Sequence, residues 1–154
     1  MTTSSEETKG IDEVKTFELF IERTQMPVDL SSIEKRKPPE PDLLCKHEAE
    51  GLIAFELTNL CDPNLAKVVA AGSRAREDAF STSSPTADIV RNKLKKKYET
   101  SYPIELLIYK DGPIIDTDDM VIPTIKPIFE SNNGPFQRVW FMGENTTCLI
   151  WENS

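Results

Sequence analysis

The stretch "PIELLIYKDG", residues 103–112, constrains the fold of this chain more than any other. Pro103 and an Asp-Gly turn bound a near-continuous apolar run of strand length, without the alternation of a half-exposed strand. Such a run suits a strand buried on both faces, which needs helices on both sides of the sheet that contains it.

Neighbouring segments can supply those helices. Ile11, Val14, Phe17, Phe20 and Ile21 recur at helical spacing and predict an amphipathic helix over residues 11–25, closed by Pro27. In "CDPNLAKVVAAG", Asp62 can cap, Pro63 sits at the first helical position and Gly72 ends the helix. Ser84 and Pro85 repeat the device and open a helix with Ala87, Val90, Leu94 and Tyr98 as its inner stripe. In "DMVIPTIKPIFESNNG", Val121, Ile125, Ile128 and Phe129 are helically spaced. Pro127 would cost about 3 kcal/mol inside that helix, so an irregular helix is expected.

Residues 42–46 and 52–60 read as strands joined by the polar turn "KHEAEG", where Gly51 is free to adopt positive φ. A short strand is expected around Ile33, and "FQRVWFMG" and "TTCLIWEN" add two more around the turn "ENT". This order predicts an α/β layer structure on a mixed central sheet. The polar segment 1–10 is expected to be a disordered tail, 11–154 a single domain, and "SRAREDAFSTSS" (73–84) a mobile loop.

Eighteen basic against 26 acidic residues give a net charge of -8, so the overall field does not draw nucleic acid to the chain. Phosphate contacts would have to come from local clusters such as "RNKLKKKY". Cys45, Cys61 and Cys148 lie in or beside apolar runs and read as buried thiols. With a single histidine, the usual zinc ligands cannot be assembled. The N-terminal segment has no apolar region of the signal-peptide kind, and no run reaches the ~18 residues that span a membrane. A cytoplasmic protein is expected. His47 falls in a turn, and Trp140 and Trp151 read as core or edge packing.

The candidate site lies in "PDLLCKHEAEGLIAFELTNL", residues 41–60. Alternation puts Leu52, Ala54, Glu56, Thr58 and Leu60 on one face of the second strand. A carboxylate inside such a run costs several kcal/mol if dry and unpaired, so Glu56 must be wet or meet a cation. Asp42, at the start of the partner strand, lies across from it if the register allows. Two carboxylates so placed can hold a hard divalent ion, which takes oxygen ligands. On the first helix Glu18 and Glu22, four residues apart, share one side.

"PPEPDLLC" followed by "GLIAFELTNL" resembles the core signature of the PD-(D/E)xK nuclease superfamily. That signature is a Pro-Asp at the start of one strand and an acidic-x-Lys in the next, with a carboxylate on a preceding helix. The family's order of helix, three-stranded meander, helix and strand matches residues 11 to about 110, and 121–154 would be an elaboration. The resemblance implies a restriction-endonuclease-like three-layer fold and Mg²⁺- or Mn²⁺-dependent hydrolysis of nucleic-acid phosphodiesters. By position, Asp42 and Glu56 would be metal ligands, joined by Glu18, with Glu22 as the alternative.

Thr58 stands where the family has its catalytic lysine. Threonine supplies a hydroxyl but no charge to stabilise the transition state. Lys67 on the following helix is the first candidate to replace that cation, then Lys35, Arg36 or Lys37 beside the Pro-Asp. Arg36, Lys93, Lys96 and Lys97 are the candidate nucleic-acid contacts, and action on two strands would suit a homodimer. The alternative is a catalytically inactive nuclease fold that serves as a binding or regulatory module for a protein partner.

Overall fold

In the computed structural model, residues 5–60, 85–111 and 117–153 are described, the side chains of 5–11 and 85 excepted. The expected helix at 62–72 and the loop at 73–84 lie outside these, as do Cys61 and Lys67. The elements run α1 (Ser5–Thr24), β1 (Val28–Lys35), β2 (Leu43–His47), β3 (Gly51–Asn59) and α2 (Pro85–Lys95). They continue with β4 (Ile104–Tyr109), α3 (Asp118–Ser131), β5 (Phe136–Met142) and β6 (Thr147–Glu152).

The six strands form one mixed sheet whose spatial order is the chain order, β1 to β6. β1, β2 and β3 make an antiparallel meander, β3–β4 and β4–β5 are parallel, and β5–β6 is antiparallel. Each parallel step needs a crossover, and α2 and α3 lie in the two crossovers. Among the described residues the chain is therefore an α/β structure with a six-stranded mixed sheet and three helices.

The "IELLIY" run becomes β4, flanked by β3 and β5 and buried at every position. One face of the sheet carries Ala54, Leu60, Leu106, Ile108, Val139 and Phe141 against Ile89 and Val90 of α2 and Val121, Ile125 and Phe129 of α3. The other carries Leu43, Cys45, Ile53, Phe55, Leu57 and Leu107 against Phe17, Phe20 and Ile21 of α1. Two apolar clusters on opposite faces make three layers, helix, sheet and helices. Burial pushes the Cys45 thiol up to about 12, which suits an inert core cysteine.

Three boundaries differ from the sequence reading. α1 begins at Ser5, inside the segment expected as a tail, because apolar spacing marks only the packed part of a helix. The strand expected around Ile33 extends over Val28–Lys35, interrupted by a register shift between Asp29 and Glu34. There Asp29 accepts hydrogen bonds from Ser31 (3.0 and 2.6 Å) and Lys46 N–H donates to Ser32 Oγ (2.8 Å). That bulge breaks up an edge strand that would otherwise be a template for pairing. α2 ends at Lys95, so Tyr98 reaches the core from the following segment. α3 holds both Pro123 and Pro127.

The start of α3 is tied to the β5–β6 turn by a buried ion pair. Asp118 accepts from Lys110 Nζ (2.7 Å) and from the N–H groups of Glu144 (3.3 Å), Asn145 (2.8 Å) and Thr146 (3.0 Å). The Lys110 side chain is only 2% exposed. A Cβ at Gly143 would overlap the Asp118 carboxylate, so the turn closes over this group only with glycine there.

Burial pushes the Asp118 carboxyl up, but Lys110 and the N–H groups of Asn145 and Glu144 outweigh it and hold the group below its usual 3.8. A depressed carboxyl contributes stability above its unfolded pKa and loses it as pH falls through the folded one. Asp118 therefore stabilises the fold at neutral pH, and this contribution disappears below the usual aspartate range. Asp118→Ala, which strands Lys110 in the interior, is expected to cost about 3–5 kcal/mol in urea unfolding at neutral pH. The gap from wild type should shrink in acid. A variant within 0.5 kcal/mol of wild type, roughly the range of ordinary surface changes, would show that the pair is not dry.

Candidate functional site

The hairpin of β2 and β3 brings Asp42 and Glu56 together. The register pairs Leu43 with Phe55, so Asp42, one residue before β2, meets Glu56 one residue further along β3. Two hydrogen bonds clamp the junction. The Asp42 N–H donates to Glu56 Oε1 (3.1 Å), and the Leu57 N–H donates to Asp42 Oδ2 (2.9 Å). The Leu57 N–H lies beyond the last ladder pair of β2 and β3, and the Asp42 carboxylate satisfies it in place of a backbone carbonyl.

Glu56 is 1% exposed on the face covered by α2 and α3, and its charge is met. Oε2 accepts from Lys93 Nζ (2.8 Å), Tyr98 Oη (2.9 Å) and Lys96 Nζ (3.4 Å). Burial, followed by the Glu56 charge, pushes the Tyr98 phenol far up, so it remains a donor. The Lys96 ammonium also lies 5.5 Å from the Tyr98 ring centroid, a cation–π distance. The basic run is thus split. Lys93 and Lys96 turn in toward Glu56, while Arg91 and Lys95 border a groove between α2 and α3 with Leu94, Thr124, Pro127 and Ile128.

The helix carboxylate at this site is Glu13, which the sequence reading did not single out. It is 3% exposed, pairs with Lys35 Nζ (3.2 Å) and faces the Asp42 carboxyl closely enough to disfavour its charge. Burial, then the Glu13 charge, pushes the Asp42 carboxyl above its usual 3.8, while the Leu57 N–H and Lys93 work in the opposite direction. Glu18 and Glu22 are exposed and line an open groove on the outer side of α1 with Leu19, Met26 and Leu30. They lie away from Asp42. Glu13 could have been found by its register, since it is next to Val14 on the apolar stripe and four residues before Phe17.

Of the proposed lysine substitutes, Lys35 reaches Glu13, and Arg36 is held by Glu34 (2.6 Å) and Glu40 (2.8 Å). Lys37 and Lys97 are exposed, and Lys67 lies outside the described residues. Thr58 is 2% exposed on the face of Glu56, and its hydroxyl has no hydrogen-bond partner among the described residues.

Metal-ligating side chains do not converge in a group of three among the described residues. The Glu13–Asp42 pair nevertheless has the chemistry of a partial Mg²⁺ site. The ion commonly takes one or two carboxylates and keeps several waters, and a divalent cation would offset the repulsion between these two. Glu56 can join only if one of its two lysines gives way.

A second buried carboxylate, Glu105, sits on the opposite face. It accepts from Trp140 Nε1 (2.8 Å), Gln137 Nε2 (3.0 Å) and Arg138 Nη1 (2.9 Å). Arg138 also binds Glu50 (2.9 Å) and Glu152 (2.6 Å), closing the floor of an open cleft beside His47. Trp140 is thus more than packing, because its indole N–H satisfies a buried charge.

No protein-family model, curated protein or solved structure matches the chain. Among the described residues, no helix is long and apolar enough to cross a membrane.

Glu13→Gln removes one charge beside Asp42 and leaves an amide that can donate to it. The Asp42 carboxyl should then titrate at lower pH than in wild type, followed by ¹³C NMR of the side-chain carboxyl. Glu18→Ala should leave that titration unchanged and alter stability by no more than about 0.5 kcal/mol. An Asp42 curve that is the same in all three proteins would place Glu13 away from the site.

Proposed function

We propose that this chain is a divalent-cation-dependent phosphodiesterase of the PD-(D/E)xK kind, on a restriction-endonuclease-like variant of the three-layer fold. The observation that carries the reading is Lys93, whose ammonium lies 2.8 Å from Glu56 although the signature lysine position is Thr58. α2, the first described helix after β3, thereby delivers a cation to the strand carboxylate. Among the described residues, the α1–β1–β2–β3–α2–β4 order and the Asp42–Glu56 clamp support the same reading.

In this reading Glu13 and Asp42 hold Mg²⁺ or Mn²⁺, and Glu56 completes the set. The ion, when bound, acidifies a water and neutralises charge on the phosphate. Lys93 donates to a non-bridging phosphate oxygen and offsets the charge that grows there, a contribution of about 10²–10³ in rate for one preorganised donor. Tyr98 holds Glu56 in register. Lys96 and the exposed Lys97 lie where flanking phosphates would be positioned without being read for sequence.

One observation favours the binding-module reading. Both oxygens of Glu56 already have partners, so the carboxylate is satisfied without any metal.

Calorimetric titration of Mn²⁺ and a cleavage assay on labelled DNA and RNA decide between them. Saturable Mn²⁺ binding should disappear in Asp42→Ala. Lys93→Met should retain binding and lose about 10²–10³ in kcat. A folded wild type that neither binds Mn²⁺ nor cleaves either nucleic acid would leave the binding-module reading.

A further inference from the structure

The cations that hold Glu56 differ in how firmly they are placed. Lys93 is 2.8 Å away with its side chain 18% exposed, whereas Lys96 is 3.4 Å away and 46% exposed. Lys96 lies just past the end of α2 at Lys95, its N–H closing the last turn on the Lys93 carbonyl through a long 3.3 Å bond. Lys95 and Lys97, its neighbours, are exposed and have no ionic partner among the described residues. A polyanion arriving at this corner meets the exposed Lys96 and Lys97 before it meets Glu56.

The geometry points to a hand-off, and this rests on the reading of the site as a cation-dependent phosphodiesterase. Glu56 is held by Lys93, Lys96 and Tyr98 while the site is free. A phosphodiester that takes up Lys96 withdraws one of these cations and frees Glu56 to join Glu13 and Asp42 around a divalent ion. Metal and nucleic acid then bind with positive coupling, with Lys96 as the positioning residue that links them.

The physical basis is exchange of partners. In the free protein, a divalent ion approaching Glu56 competes with two ammonium groups for the same carboxylate oxygen. A phosphate approaching Lys96 competes with the same carboxylate. When both ligands are present, each takes the partner that the other has displaced, so neither charge is left bare in a part-buried site. Linkage requires the effect to be reciprocal. If phosphate tightens metal binding by some factor, metal tightens phosphate binding by the same factor. A coupling of about 5- to 150-fold is typical of such two-ligand systems.

The exposed side chain of Lys96 also explains why this position, rather than Lys93, is the sensor. A ligand in solution can reach a half-exposed ammonium without opening the sheet–helix interface. Lys93 remains beside Glu56, available to the reacting phosphate. Arg91, held by Asp88 (3.7 Å), borders the groove on the other flank of α2 and takes no part in the exchange.

The test uses the full chain, Mn²⁺, a short phosphorothioate DNA strand and its uncharged methylphosphonate counterpart. Mn²⁺ affinity is measured by calorimetry alone and with each strand. For wild type, the charged strand should tighten Mn²⁺ binding at least about fivefold, and the uncharged strand should not. Lys96→Gln should bind Mn²⁺ more tightly than wild type without any strand and should lose most of the gain from the charged strand. Lys126→Gln, at an exposed position on α3 that does not touch Glu56, should keep the gain. Circular dichroism confirms that both variants fold. Equal Mn²⁺ affinity with and without the charged strand would overturn the hand-off and leave the metal site standing. Absence of Mn²⁺ binding in every combination would overturn the hand-off and the phosphodiesterase reading together.

Discussion

A carboxylate in the interior of a central strand has to be answered by a cation, and much of this structure is arranged around answering Glu56. Its strand, β3, is the one at which the antiparallel meander passes into the parallel part of the sheet. An unpaired charge there would cost several kcal/mol. It is met from β2 through the Asp42 N–H and from α2 and the segment after it through Lys93, Lys96 and Tyr98. The same hydrogen bonds that neutralise the charge fix where β2 begins and where the end of α2 lies against the sheet.

Three buried carboxylates on or beside the sheet solve the same problem differently, and the differences separate framework from site. Asp118 has a lysine that is 2% exposed and three backbone donors from one turn. Glu105 has an arginine, an amide and an indole, all from β5. Neither can exchange its partner without unpicking the fold. Glu56 has partners that reach in from a helix end, one of them nearly half exposed. Beside it, the Asp42 carboxyl is held above its usual value by burial and then by the charge of Glu13. A carboxylate crowded by its own kind, next to one held by exchangeable cations, is a pattern that stability alone does not call for.

The layers were legible in the sequence because each rests on a local rule. The near-continuous apolar run of β4 pointed to a fully buried strand, and the cap-and-proline device at Ser84–Pro85 placed the start of α2 within a residue. The Asp42–Glu56 pairing was legible too, since a hairpin with a short turn leaves few registers. The helix carboxylate was not. Glu18 and Glu22 stand out as a polar pair on an amphipathic helix, but a polar pair is what a solvent face looks like. Glu13 is on the buried side, where sequence reasoning expects apolar residues, and only its ion pair with Lys35 makes that position tenable. The cation partner of Glu56 was equally hidden. Lys93 and Lys96 lie 37 and 40 residues from it in the chain, and a basic run on a helix reads as solvated surface until the crossover is seen to lay it across the sheet.

Carrying the cation on a helix end rather than on a strand changes how freely it can leave, and Thr58 marks the difference. A lysine at position 58 would leave the central sheet beside Glu56, in space closed enough that the threonine hydroxyl there is fully buried. Its ammonium would start from the strand itself, in closed space beside Glu56 with little room to swing away. A lysine supplied from the end of α2 reaches the same carboxylate from the solvent side, by a long side chain free to swing. The charge needed to bury Glu56 is supplied in either case. Only in the second can a competing anion draw it away, and that makes the departure at Thr58 compatible with a site whose assembly depends on its ligand.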